Sequence, residues 1–173
     1  MNEKIKNYIE NMLKQDSMEA TVKTFIIKEL VEKSETIVDN IDGLGILIEE
    51  KLYDKEEYLG SIKTIVDSID DTLRFSCGKV VAKNPKNNQK IEMEVEFKET
   101  IEVLETFKLA LSLTAKDVNN LEAILEEEAK MNNRKEIKIS NVKEIKIAKI
   151  SLIKGFLHDF AEALAKDIYE FLQ

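Results

Sequence analysis

Residues 57–73 read EYLGSIKTIVDSIDDTL, and their spacing decides the fold. Leu59, Ile62, Val66, Ile69 and Leu73 recur at alternating steps of three and four, which sets them along one side of a helix. Such a seam is the pattern of helices packed nearly antiparallel in a bundle. Asp54 and Glu57 stand before it at the spacing of a capping box, a helix-start signal.

The same period extends in both directions. Upstream, Asp16 and Glu19 repeat the capping spacing. Val22, Ile26, Leu30, Ile37, Ile41, Leu44, Ile48 and Leu52 then follow at steps of three, four or seven. Gly43 and Gly45 could bend or split this second helix, since glycine weakens a helix interior by about 1 kcal/mol. A short first helix is expected over Met1–Lys14, with Ile5, Ile9, Met12 and Leu13 on one side. Downstream, Leu104, Phe107, Leu111, Thr114, Val118, Leu121 and Leu125 keep the three–four spacing. They form either one helix of about 35 residues or two joined at Thr114, where Thr114 and Asp117 give another capping signal. An Asn-rich turn over Met131–Lys135 closes this stretch.

The last helix is expected from Asn141 to the C-terminus, with Leu152, Phe156, Phe160, Leu164, Ile168 and Phe171 as its apolar face. Lys135–Ile139 and Lys143–Ile147 are the same five residues, KEIKI, with alternating isoleucines that would also suit a second hairpin. Lys146 and Lys149 fall inside the apolar stripe, which favours that alternative slightly. The preferred reading is helix from Asn141, with Lys135–Ile139 extended.

One segment changes period outright. Lys90–Lys98 reads KIEMEVEFK, so Ile91, Met93, Val95 and Phe97 share one face and Glu92, Glu94 and Glu96 the other. Lys79 and Lys83 alternate with Val80 and Ala82 in the matching sense, and Asn84–Gln89, with the only proline, makes a loop between. Pairing would set lysines near glutamates and apolar residues near apolar ones. The predicted fold is therefore mainly α. It is a bundle of about four long helices plus a short N-terminal helix, in one domain over residues 1–173, with a β-hairpin inserted near residues 79–97.

Composition narrows the function. The chain has one His, one Cys, one Pro, five Gly and no Trp in 173 residues. It contains no Gly-x-Ser-x-Gly, Walker loop, dinucleotide fingerprint or Cys-x-x-Cys. One cysteine forbids an internal disulfide. Met1–Gln15 is charged throughout, with no apolar signal core, and no stretch approaches the ~20 apolar residues of a membrane span, so a cytoplasmic protein is expected. Net charge is −8, but Lys130–Lys154 carries eight basic and two acidic residues, leaving the remainder at −14. That acidity opposes general binding to duplex nucleic acid. Richness in Lys, Ile, Asn and Glu points to an AT-rich bacterial or phage genome.

Four groups carry possible chemistry. Glu29 with Glu32 and Asp67 with Asp70 are carboxylates three apart on two helices, able in principle to hold Mg²⁺ against a polyphosphate. The pattern resembles that of all-helical nucleotide pyrophosphatases, which implies Mg-dependent nucleotide hydrolysis by these four residues. Their helical phase opposes it, because each lies well off the apolar stripe that would face a cleft. His158 sits on the flank of the last helix beside Lys154 and Asp159. Cys77, at a helix C-terminus, is expected to be a partly buried, unreactive thiol. Lys79, Lys83, Lys86 and Lys90 make the hairpin the leading binding candidate, unless its apolar face packs on its own bundle. Glu122, Glu126, Glu127 and Glu128 form an acidic patch.

The sequence thus points to a non-enzymatic interaction module of adaptor, immunity or inhibitor type. It would bind a partner protein through a helix face or the hairpin, with no cofactor, and a homodimer is also compatible with its regular seams. The alternatives are an acidic nucleic-acid mimic that inhibits a DNA- or RNA-handling enzyme, and the Mg-dependent pyrophosphohydrolase.

Overall fold

A computed structural model of the chain describes residues 3–15, 17–51, 55–83, 87–113 and 135–173. Among these residues it is mainly helical, with one antiparallel hairpin. The elements are α1 (Glu3–Leu13), α2 (Met18–Lys51), α3 (Lys55–Phe75), β1 (Cys77–Lys83), β2 (Lys90–Glu96), α4 (described over 98–113) and α5 (Lys135–Leu172). The segments holding Asp16, Leu52, Asp54, Lys86, the Thr114 junction, the Asn-rich turn and the glutamate patch lie outside the described residues.

α2 is not split at Gly43 and Gly45 but continues through both as one helix. Ile41, Leu44 and Ile48 on either side of the glycines are fully buried, so packing across the bend-prone stretch outweighs a propensity deficit of about 1 kcal/mol per glycine. The helix starts one residue later than the capping signal suggested. Ser17 is the cap, its Oγ accepting from the Ala20 amide at 3.1 Å. The seven-residue gap between Leu30 and Ile37 is bridged by Ser34, which is buried because its hydroxyl donates to the Leu30 carbonyl at 2.7 Å.

In α3 the buried line is Tyr58, Ile62, Ile65, Ile69 and Thr72. Leu59, Val66 and Leu73 flank it half-buried, so the true seam lies about one residue to the side of the apolar count. Polar-tipped Tyr58 and Thr72 belong to the core for the same reason as Ser34. Thr72 donates to the Ser68 carbonyl at 2.9 Å. Tyr58 accepts from Lys149, 3.0 Å away.

α5 also corrects the sequence reading. Lys135–Ile139 is helical rather than extended, and the helix begins at Lys135, not Asn141. The isoleucine alternation was a helical sequence with lysines interposed. Lys149 in the stripe is accommodated as a helix residue, 94% buried, with its ammonium against Tyr58.

The core has two parts. Ile37–Ile48 of α2, α3, Leu104–Leu111 of α4 and Ile153–Phe160 of α5 form one. The other gathers Ile9 of α1, Val22–Val31 of α2, Val95 and Phe97 of the hairpin, and Ile168 and Leu172 of α5. The N-terminal half of α2 thus meets the C-terminal end of α5, so these two long helices run antiparallel and tie the parts together.

The hairpin rests on the second part. Val80 pairs with Met93 and Ala82 with Ile91 on the inner face, while Lys79 faces Glu94 outside. Val95 and Phe97 are buried to 99%. The Ser76 carbonyl accepts from the Phe97 amide at 2.9 Å and closes the hairpin base. Gly78 enters β1 at φ +145°, a conformation L side chains rarely adopt, opposite buried Val95. Gly78→Ala is therefore expected to destabilise the fold by about 1–2 kcal/mol through backbone strain alone, since no atom lies within 4 Å of the added carbon. Gly43→Ala in exposed mid-helix should instead stabilise by up to about 1 kcal/mol. Urea unfolding of the two variants checks the opposite signs.

Candidate functional site

The four carboxylates of the nucleotide-hydrolase reading do not come together. Glu29 and Glu32 line a shallow groove with Lys33, Ser68, Asp71 and Thr72. Lys33 reaches across it to Asp71 at 2.7 Å and lies 5.6 Å from the Phe75 ring. Asp70 turns to α4, where Lys108 meets it at 2.6 Å. Asp67 is exposed. The α2/α3 groove thus holds a lysine paired with Asp71, and neither Asp67 nor Asp70 lines it.

That lysine leaves a titratable mark. Its hydrogen bond holds the Asp71 carboxyl below the usual carboxylate range, with partial burial opposing and the charges of Lys33 and Arg74 assisting. A carboxyl depressed in the folded chain contributes stability above the unfolded pKa, and the contribution disappears as pH falls through the lower folded value. An NMR pH titration should find Asp71 still ionised at a pH where an ordinary aspartate is half protonated. Lys33→Met should return it to the usual range.

His158 is exposed on α5, with Nδ1 at 3.5 Å from Asp159 and Nε2 at 3.6 Å from Glu162. These three are the one potential metal-ligand cluster among the described residues. The imidazole offers different nitrogens to the two carboxylates, however, and one ion can take only one of them. This is the geometry of an imidazole between two acceptors, open to solvent on one helix.

Cys77 is exposed rather than partly buried. It belongs to β1, on the outer face opposite Glu96, because the strand starts earlier than its charge pattern showed. Lys79, Lys83 and Lys90 are exposed on that face too. They alternate with Glu92 and Glu94, and Lys83 lies opposite Lys90 at the open end. The outer face is a mixed-charge lattice around exposed Val81, and the apolar anchors of the hairpin face inward on the bundle.

Two further grooves open between helices among the described residues. One lies between α4 and α5 over the stacked rings of Phe107 and Phe156, whose centroids are 3.8 Å apart, with Glu99, Glu102 and Asp159 at its edges. Lys166 meets Glu99 there at 2.9 Å. The other runs between α2 and α5 with a volume of about 330 Å³. Val31, Val38, Leu157 and Leu164 form its sides, Phe160 and Ile168 its floor, and Glu35 and Asp39 stand on the α2 wall.

The α2/α5 groove was not foreseen from the sequence. Its width comes from Ala161 and Ala165, one turn apart on α5, where longer side chains would fill the space. Small residues at i and i+4 beside an apolar stripe are the signal that was available. Comparison with known proteins places the chain in no family: no family model matches it, and neither does any curated protein or solved structure.

Proposed function

We propose that the chain is a non-enzymatic interaction module, of adaptor, immunity or inhibitor type, and that it binds a partner protein through a helix face. The surface is the groove between α2 and α5. The observation that carries this reading is an open apolar trough on the two helices that span both halves of the core. Exposed apolar concavities of this kind mark binding sites on folded proteins. The hairpin supports the choice from the other side, since its inner-face residues Val80, Ala82, Met93 and Val95 are engaged with its own bundle, and its outer face balances lysine against glutamate around a single exposed valine, Val81.

The test compares affinity capture by the native chain and by Ala165→Trp from cells of the source organism. A stoichiometric protein partner recovered with the native chain and lost with the filled groove supports the proposal, provided both chains melt alike. Mg-dependent nucleotide turnover that disappears in Glu32→Ala would overturn it in favour of hydrolysis. Capture that is indifferent to Ala165→Trp but collapses with rising salt would favour the nucleic-acid mimic.

A further inference from the structure

We propose that the α2/α5 groove receives an amphipathic helix of the partner protein whose flank facing α2 carries lysines or arginines. The proposal rests on the reading of this groove as the binding surface and adds the chemistry of what fills it.

The shape selects a helix. The lining runs from Val31 to Asp39 on α2 and from Leu157 to Ile168 on α5, roughly 12–16 Å, or two to three helical turns. A trough between two antiparallel helices is where a third helix seats its ridge of i, i+3, i+4 and i+7 side chains. The floor asks for apolar atoms, because Ser34, its buried polar residue, already donates to the Leu30 carbonyl.

The charge selects the flank. Glu35 and Asp39 are exposed on the α2 wall, four residues apart, and Asp42 continues the row beyond the groove. The α5 wall contributes Leu157, Ala161, Leu164 and Ala165 and no charge. Among the described residues neither Glu35 nor Asp39 has an ion-pair partner, whereas Asp71, Asp70 and Glu99 at other helix junctions are met by Lys33, Lys108 and Lys166. A one-sided row of unanswered carboxylates beside an apolar trough complements cations spaced four apart on one side of a helix. The same carboxylates oppose a fatty acid or other anionic amphiphile.

The test uses the full chain and two synthetic helical peptides of about 16 residues, long enough to fill the trough. Both carry the same leucine ridge; one has lysines four apart on a flank and the other glutamates there. Fluorescence anisotropy should show the lysine peptide binding about ten-fold more tightly. The preference should shrink at about 0.5 M salt. It should reverse in the Glu35→Lys/Asp39→Lys chain, and Glu105→Lys on α4 should leave it intact. Ala165→Trp should remove binding of both peptides. Equal binding of the two peptides, sensitive to Ala165→Trp, would overturn the basic-flank proposal and leave the groove as a binding surface. Binding of neither peptide in the groove would overturn both. Self-association of the native chain that is lost in Ala165→Trp would mean a second copy occupies the groove, which also overturns the proposal.

Discussion

Phe156→Ala is expected to lower the stability of the fold by about 3–5 kcal/mol, a loss of roughly 10 °C in melting temperature for a chain of this size. Phe156 is 95% buried and holds two aromatic contacts at once. It stacks on Phe107 of α4 with an interplanar angle of 13°, and meets Phe160 edge-on with centroids 5.2 Å apart. Truncation removes the ring and leaves a cavity between α4 and α5 that helix backbones cannot close. Phe156→Leu should recover more than half of the loss. A double-mutant cycle with Phe107→Leu should show a coupling of about 1 kcal/mol, from the stacked pair itself. Thermal and urea unfolding measure all of these. A loss under about 1 kcal/mol for the alanine variant would mean that the α4–α5 junction is not a packed core.

Asp167→Ala should cost nearly as much, about 3 kcal/mol, for a different reason. α4 begins after Phe97, whose carbonyl accepts from the Ile101 amide at 2.9 Å but whose side chain cannot cap the amides that follow. Asp167 does so from α5. Its carboxylate oxygens accept from the Glu99 amide at 3.3 Å and the Thr100 amide at 2.7 Å, and the residue is 95% buried. A negative group at a helix N-terminus also meets the positive end of the helix dipole. Removing it strands two amide donors in a place where the buried Thr100 hydroxyl has no partner among the described residues. Asp167→Asn keeps one acceptor and should lose about half as much. Hydrogen exchange at the Glu99 and Thr100 amides gives the local readout. Unchanged protection in Asp167→Ala would show that the cap is not what holds the start of α4.

The two variants bear on how much the sequence could show. The bundle and the hairpin were legible because each rests on a local period: three–four spacing in α2, α3 and α4, alternation in KIEMEVEFK. The buried line of α3 is offset from the Leu59–Leu73 seam because it includes Tyr58 and Thr72, whose polar atoms each have a hydrogen-bond partner that permits burial. The start of α5 was misread for a related reason. Lys-Glu-Ile-Lys-Ile alternates like a strand, and only the length of helix it joins decides otherwise. Nothing in the order of residues indicates that Asp167 caps a helix that begins 69 positions earlier at Lys98, since the tertiary fold alone brings them together. The groove has the same character. Ala161 and Ala165 are unremarkable helix formers until α2 lies beside them. The acid pairs show the converse: Glu29, Glu32, Asp67 and Asp70 had suggestive spacing, but Asp70 pairs with Lys108 of α4, and Lys33 beside Glu29 and Glu32 pairs with Asp71.

The most direct measurement of the binding surface is methyl NMR of the chain titrated with the partner recovered by capture. Perturbation should concentrate on Val31, Val38, Leu157, Ala161, Leu164 and Ala165, with the hairpin signals unmoved. Shifts confined to Val80, Val81 and Ala82 of the hairpin, with the groove methyls unchanged, would contradict binding through the α2/α5 face.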